Sequence, residues 1–172
     1  MIATRQLIDN GDGTATVPLT RGYVAVIDIE DAAEIGRYNW YAKWCGKGWL
    51  YACRAQREPG RGRSSRTVFM HRVVCGGPPD RHVDHRNSNG LDNRRANLRV
   101  ATVTQNCANS KRPSSARSPY KGVTQLPSGR WQAQITANRR CHYLGLYDTP
   151  EAAHAAYCKA AAELHGEFAR TA

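Results

Sequence analysis

The 172-residue sequence has no Cys-x-x-Cys pair. Its six cysteines (Cys45, Cys53, Cys75, Cys107, Cys141 and Cys158) are scattered singly, and none stands with a histidine in a zinc-finger spacing. No structural zinc is therefore expected. The thiols read as small apolar residues of a cytoplasmic protein, kept reduced. Long apolar runs are also missing. None approaches the ~20 residues that span a bilayer, and no signal peptide opens the chain, so no membrane partner is expected. Acidic residues are scarce beyond position 50. Residues 51–110 hold 11 basic against 4 acidic side chains and residues 111–172 hold 9 against 4, whereas residues 1–50 hold 5 against 6. The net charge of +11 therefore gathers in the last two thirds and points to a polyanionic partner. A hydrophobic content of 41% suits one or two small domains with modest cores.

What the chain does have is a dense polar stretch over residues 81–109, RHVDHRNSNGLDNRRANLRVATVTQNCAN. Asp84 and His85 are adjacent. Val83 and Val100 lie in short segments that can pair as strands around a turn from Asn87 to Asn93. Asn-Gly at 89–90 and Asp-Asn at 92–93 form turns, because these residues tolerate positive φ and bond nearby backbone. Thr102 and Gln105 make a capping box that opens a helix carrying Asn106. An acid, a histidine beside it and an amide oxygen further on suit metal-assisted phosphodiester cleavage. The histidine can deprotonate water, and a hard divalent ion can stabilise the leaving oxygen. Magnesium keeps several of its waters, so one carboxylate and one amide oxygen can suffice.

Residues 68–110, with the Met-His-Arg run at 70–72, resemble the HNH motif of the ββα-metal fold, as found in phage and intron-encoded homing endonucleases. The resemblance implies that His85 is the general base and that Asp84 and Asn106 hold one Mg²⁺ or Mn²⁺. It implies that Asn97 ties the two halves of the loop together. The last position of the motif is often His. Here it is Asn106, with Asn109 one turn on as the alternative ligand. Arg86, Arg94, Arg95 and Arg99 flank the site as phosphate contacts, with Arg99 open to a structural role in the loop.

Ahead of the motif, residues 4–29 alternate as strands around Asn10–Gly13, and a short helix is expected near 31–37. Residues 39–44 and 49–54 read as paired strands, and their aromatic cluster (Trp40, Tyr41, Trp44, Trp49 and Tyr51) reads as core rather than as a DNA-stacking surface. The Arg-, Gly- and Ser-rich loop 54–66 is either a solvated hairpin tip or a basic arm, with Arg61 and Arg63 on DNA. His71 reads as structural, and His82 as lying opposite Val83.

Residues 111–118 form a basic flexible linker. A second unit follows at 119–172, with three strands and then a helix capped by Thr149 with Pro150 at its first position. Tyr-Lys-Gly-Val at 120–123, Gly-Arg-Trp at 129–131, Tyr-Leu-Gly-Leu-Tyr-Asp at 143–148 and Glu-Ala-Ala at 151–153 resemble the AP2/ERF DNA-binding domain. That resemblance implies a sheet laid in the major groove. It implies DNA contacts from Lys121, Thr124, Arg130, Gln134, Thr136 and Tyr143, with Arg139 nearby on phosphate or guanine. The expectation is an α+β chain in which a small antiparallel sheet leads into a ββα-metal core, together spanning residues 1–110, before the AP2-like sheet and helix. Its expected activity is site-directed nicking of double-stranded DNA, by a monomer or by a dimer on DNA, in the host cytoplasm if phage-encoded. The alternative is a DNA-binding regulator with an inactive HNH module.

Overall fold

In the computed structural model, which describes residues 5–46, 48–57, 60, 64–110 and 118–171, the turn signals of the sequence fall between strands. The chain divides into two units, Met1–Val100 and Ala101–Ala172. The first begins with β1 (Ile8–Asp9), β2 (Thr14–Pro18) and β3 (Val24–Asp28), an antiparallel meander closed by the turn at Asn10–Gly13. β2 buries every second residue, Ala15 and Val17, as period-2 alternation requires, and β3 does the same with Ala25 and Ile27. A 3₁₀ turn at Ile29–Asp31 runs into α1 (Ala32–Ile35), so the expected helix is present but shorter. A second meander holds β4 (Tyr41–Cys45), β5 (Trp49–Arg57) and β6 (Ser65–Phe69). α2 (Met70–Cys75) follows and ends at Gly76, which adopts the left-handed conformation. β7 (His82–His85) and β8 (Leu98–Ala101) then pair as a two-stranded ribbon.

One core serves this unit. Ala15, Val17, Ala25, Ile27, Ile35, Trp40, Ala52, Met70, Val74, Val83 and Leu98 are all buried in it. Trp40 is 1% exposed, and its indole Nε1 donates to the Ile35 carbonyl at 2.9 Å. The expectation that the aromatic cluster is core needs a correction. Tyr41, Trp49 and Tyr51 are half-buried, and Trp44 is 53% exposed. Strands present alternate residues to opposite faces, so a run of neighbouring aromatics on β4 and β5 cannot all point inward. Arg61 and Arg63 lie outside the described residues, as do positions 111–117 of the expected linker.

The second unit contains α3 (Val103–Ala108), an antiparallel sheet of β9 (Val123–Gln125), β10 (Trp131–Ala137) and β11 (Arg140–Tyr147) with β10 central, and α4 (Pro150–His165). The Thr149 hydroxyl caps α4 by accepting from the Ala152 N–H at 3.2 Å. The alanines let α4 lie close on the sheet: Ala153, Ala160 and Ala161 are buried with Tyr157 against Val123, Ala133 and Ile135. Gly122 allows the closest approach. Its φ is +72°, and a Cβ there would overlap the Tyr157 ring and the Gln134 carbonyl. No helix among the described residues is long and apolar enough to cross a membrane.

Trp40 fills the centre of the first core and anchors α1. Trp40→Ala should cost about 3–5 kcal/mol in urea unfolding of the first unit. A loss below about 1 kcal/mol would show that Trp40 does not organise that core.

Candidate active site

The residues between β7 and β8 form a turn that its own asparagines hold shut. The Asn97 amide bridges it from within: Oδ1 accepts from the Asn87 N–H at 3.0 Å and Nδ2 donates to the Asp92 carbonyl at 2.7 Å. The Asn87 side chain adds two more bonds, donating to Asp92 Oδ2 at 2.8 Å and accepting from the Asn89 N–H at 2.8 Å. The turn is also docked. Val26 on β3 donates to the Leu91 carbonyl at 2.9 Å and accepts from the Asn93 N–H at 2.7 Å. Gly90 sits so close to β5 that any Cβ would collide with the Leu50 carbonyl and the Tyr51 ring. Asp28 accepts from the Arg95 N–H at 2.7 Å, and Asp31 receives the Arg95 guanidinium at 2.6 and 3.1 Å.

This scaffold fixes Asp84 and His85. Both are buried, at 6% and 5% exposure. The Asp84 carboxylate receives the Arg99 guanidinium through Nε and an NH2 nitrogen, each at 2.9 Å from Oδ2, with both side chains 7% exposed. A buried pair of this kind is tightly interdependent, since removing one partner strands the other charge. His85 lies with Nε2 3.5 Å from Asn93 Oδ1. Tyr51 and His71 stand 5.8 and 5.0 Å away, ring centre to ring centre. Burial lowers the pKa of His85, against the smaller opposing effects of Asn93, Asp84 and Asp92, which favours the neutral, proton-accepting imidazole. His71 is pushed down to about 3, chiefly by burial and then by the charges of His85 and Arg72.

The two units divide the other expected residues. Asn106 is half-buried on α3, whose capping box is complete, with Thr102 and Gln105 bonding each other's backbone. Asn109 is buried at the end of that helix. The flanking arginines are partly engaged: Arg94 with Asp92 at 2.7 Å, Arg95 with Asp31, and Arg99 with Asp84. The Arg94 and Arg95 side chains stay 46% and 56% exposed, so they can also meet phosphate. Arg86 is exposed. On the second unit Thr124, Gln134, Thr136, Arg139 and Tyr143 are exposed, Tyr143 at 62%. Arg130 is exposed too, donating to Leu146 O at 3.1 Å and lying 3.2 Å from Asp148. Lys121 is placed differently. It is half-buried and donates to the Ala108 and Ser110 carbonyls at 2.6 and 2.9 Å, and burial lowers its pKa to about 8.

The donor chemistry fits a hard divalent ion. The Asp84 carboxylate is a hard oxygen donor of the kind magnesium takes, and magnesium retains water and needs few protein ligands. Among the described residues no group of three or more His, Cys, Asp and Glu could form an all-protein cage, and such an ion does not need one. Sequence reasoning missed Asn93, Tyr51 and the seat on β3. The one available signal was the excess of acids in the first 50 residues, two of which, Asp28 and Asp31, hold Arg95.

An uncharacterised HNH endonuclease of Acanthamoeba polyphaga mimivirus is 30% identical to the chain over 151 residues, covering 87% of this chain and 74% of that protein. The chain belongs to the HNH endonuclease family. Protein 3.8 of Escherichia phage T7 is 33% identical over 94 residues, 54% of this chain and 77% of that protein. An ethylene-responsive transcription factor of Medicago truncatula is 35% identical over 83 residues, 47% of this chain and 31% of that protein. No family model matches the chain, and no solved structure matches it. In this HNH protein the motif residues of the first unit stand on one docked turn and its two flanking strands.

The depressed pKa of His71 has a stability consequence. The unfolded chain binds a proton at this residue below about pH 6.5, the folded chain only below about 3. Its neutral form therefore costs nothing above pH 6.5, and stability is lost as pH falls from 6.5 toward 3. Thermal unfolding of wild type and His71→Phe across that range should show wild type losing ground steadily to the variant. A constant difference would contradict the buried neutral imidazole.

Proposed function

We propose that the chain is a DNA endonuclease that hydrolyses phosphodiester bonds with one divalent ion, Mg²⁺ or Mn²⁺, nicks one strand as a monomer, and is directed to double-stranded DNA by an AP2/ERF-like second unit. The observation that carries the reading is the buried Asp84–His85 pair on a turn tied by Asn97 and docked on β3, in a chain of the HNH family. The likeness to the ethylene-responsive factor supports the second-unit reading, as does the exposed row Thr124, Gln134, Thr136 and Tyr143 on a small basic sheet.

His85 is the general base. Burial favours its neutral imidazole, the form that can take the proton of the attacking water. On the first unit Asp84 would be the carboxylate that holds the ion, which would supply charge stabilisation at the leaving oxygen. Arg99 holds the Asp84 carboxylate in a fixed orientation. Arg86, Arg94 and Arg95 take phosphates on either side of the scissile bond, and Arg130 and Arg139 take them on the second unit. Such contacts position DNA without reading sequence, whereas Gln134, Thr136 and Tyr143 present groups suited to base edges. Lys121 is assigned to its two carbonyls rather than to DNA.

Supercoiled plasmid incubated with Mg²⁺ or Mn²⁺ should convert to open circle and stay intact in EDTA, and His85→Ala should be slower by about 10²–10⁴-fold. Tight DNA binding with no cleavage in either metal would overturn the nuclease reading.

A further inference from the structure

His71 is a buried imidazole that the mechanism above does not use. It lies in the first turn of α2 at 8% exposure. Rings hold it on three sides: Phe69 stacks on it at 5.3 Å, Tyr51 meets it at 5.4 Å, and His85 stands edge-on at 5.0 Å with the planes 85° apart. Packing alone does not explain a histidine here. A phenylalanine would fill the slot without desolvating ring nitrogens, and His71 Nδ1 is buried with no hydrogen-bond partner. Buried polar atoms are bonded in the great majority of cases, so an exception calls for a cause.

A second exception borders the His85 ring. Asn93 is fully buried, its Oδ1 lies 3.5 Å from His85 Nε2, and its Nδ2 also lacks a partner. A separation of 3.5 Å is long for a hydrogen bond. Before substrate binds, catalytic hydrogen bonds are often long, and they tighten in the complex. Two unsatisfied polar side chains touching one imidazole are what a site in its relaxed state presents.

Resting on the nuclease reading, we infer that His71 is a positioning residue for His85, and that its imidazole, not merely its bulk, holds the His85 ring in the orientation used for proton transfer. His71 does not touch DNA or the reacting atoms. It acts through the edge-on contact and through the hydrogen-bonding capacity of Nδ1.

Two substitutions separate shape from chemistry. His71→Phe keeps the ring and loses the nitrogens. His71→Asn loses the ring but keeps an amide close to the position of Nδ1. Plasmid nicking, DNA affinity and thermal unfolding would be measured for both, with His71→Ala and wild type alongside. His71→Phe should stay folded, bind DNA with unchanged KM and lose about 10- to 100-fold in kcat, the scale of a misplaced catalytic group. His71→Asn should recover part of that loss and outperform His71→Ala. His71→Phe at the wild-type kcat would overturn the inference. Should the Phe variant fail to fold, His71→Asn no faster than His71→Ala would overturn it equally. A wild-type protein that nicks nothing would take the nuclease reading down with it, whereas an active wild type matched by His71→Phe would remove this inference alone.

Discussion

Two hydrogen bonds from one side-chain amide set the geometry on which the rest of the site depends. Asn97 accepts from the backbone of Asn87 and donates to the backbone of Asp92, so it closes the turn between β7 and β8 from inside. An aspartate could accept but not donate there, and a leucine could do neither. Once the turn is closed, the Arg86 N–H donates back to the Asn97 carbonyl at 2.8 Å, where the two paired strands meet the turn. Arg99 is then opposite Asp84, and His85 is beside Asn93. The seat of the turn comes from elsewhere in the unit. β3 accepts its backbone, Asp28 and Asp31 take Arg95, and Gly90 lets it lie flat on β5. The N-terminal meanders are therefore the platform of the site rather than an appendage.

The charge pattern follows the same division. The first 50 residues carry the two acids that restrain Arg95, and the remainder carries the excess of positive charge. Arg94 and Arg95 each combine a carboxylate partner with a half-exposed guanidinium. Exposed ion pairs contribute little stability, so their value here is orientation. On the second unit, Lys121 shows the opposite use of charge. Its ammonium is drawn inward by two carbonyls at and just past the end of α3.

What was legible in the sequence was local. The three strands and helix of the second unit, the Thr102–Gln105 capping box and the ribbon around Asn87–Asn93 each have signals within a few residues: alternation, turn formers, a cap. The docking of the turn was not legible, because Val26 contributes only backbone groups, which every residue has, and it lies more than 60 positions away. The fate of Lys121 was hidden for the same reason, since its partners are carbonyls. His71 read as structural because nothing near it in sequence marks a contact with His85, which comes from the packing of α2 against β7. Trp44 was misread because it shares the face of Ala42 but stands at the end of β4, beside the turn, where it is exposed.

The most direct test of this account is cleavage and DNA affinity of Asn97→Ala compared with wild type. If the Asn97 bridge sets the site, the variant loses about 100-fold or more in nicking rate, while its affinity for duplex DNA, which the proposal assigns largely to the second unit, stays near the wild-type value. Nicking at the wild-type rate with the amide gone would contradict the account at its centre.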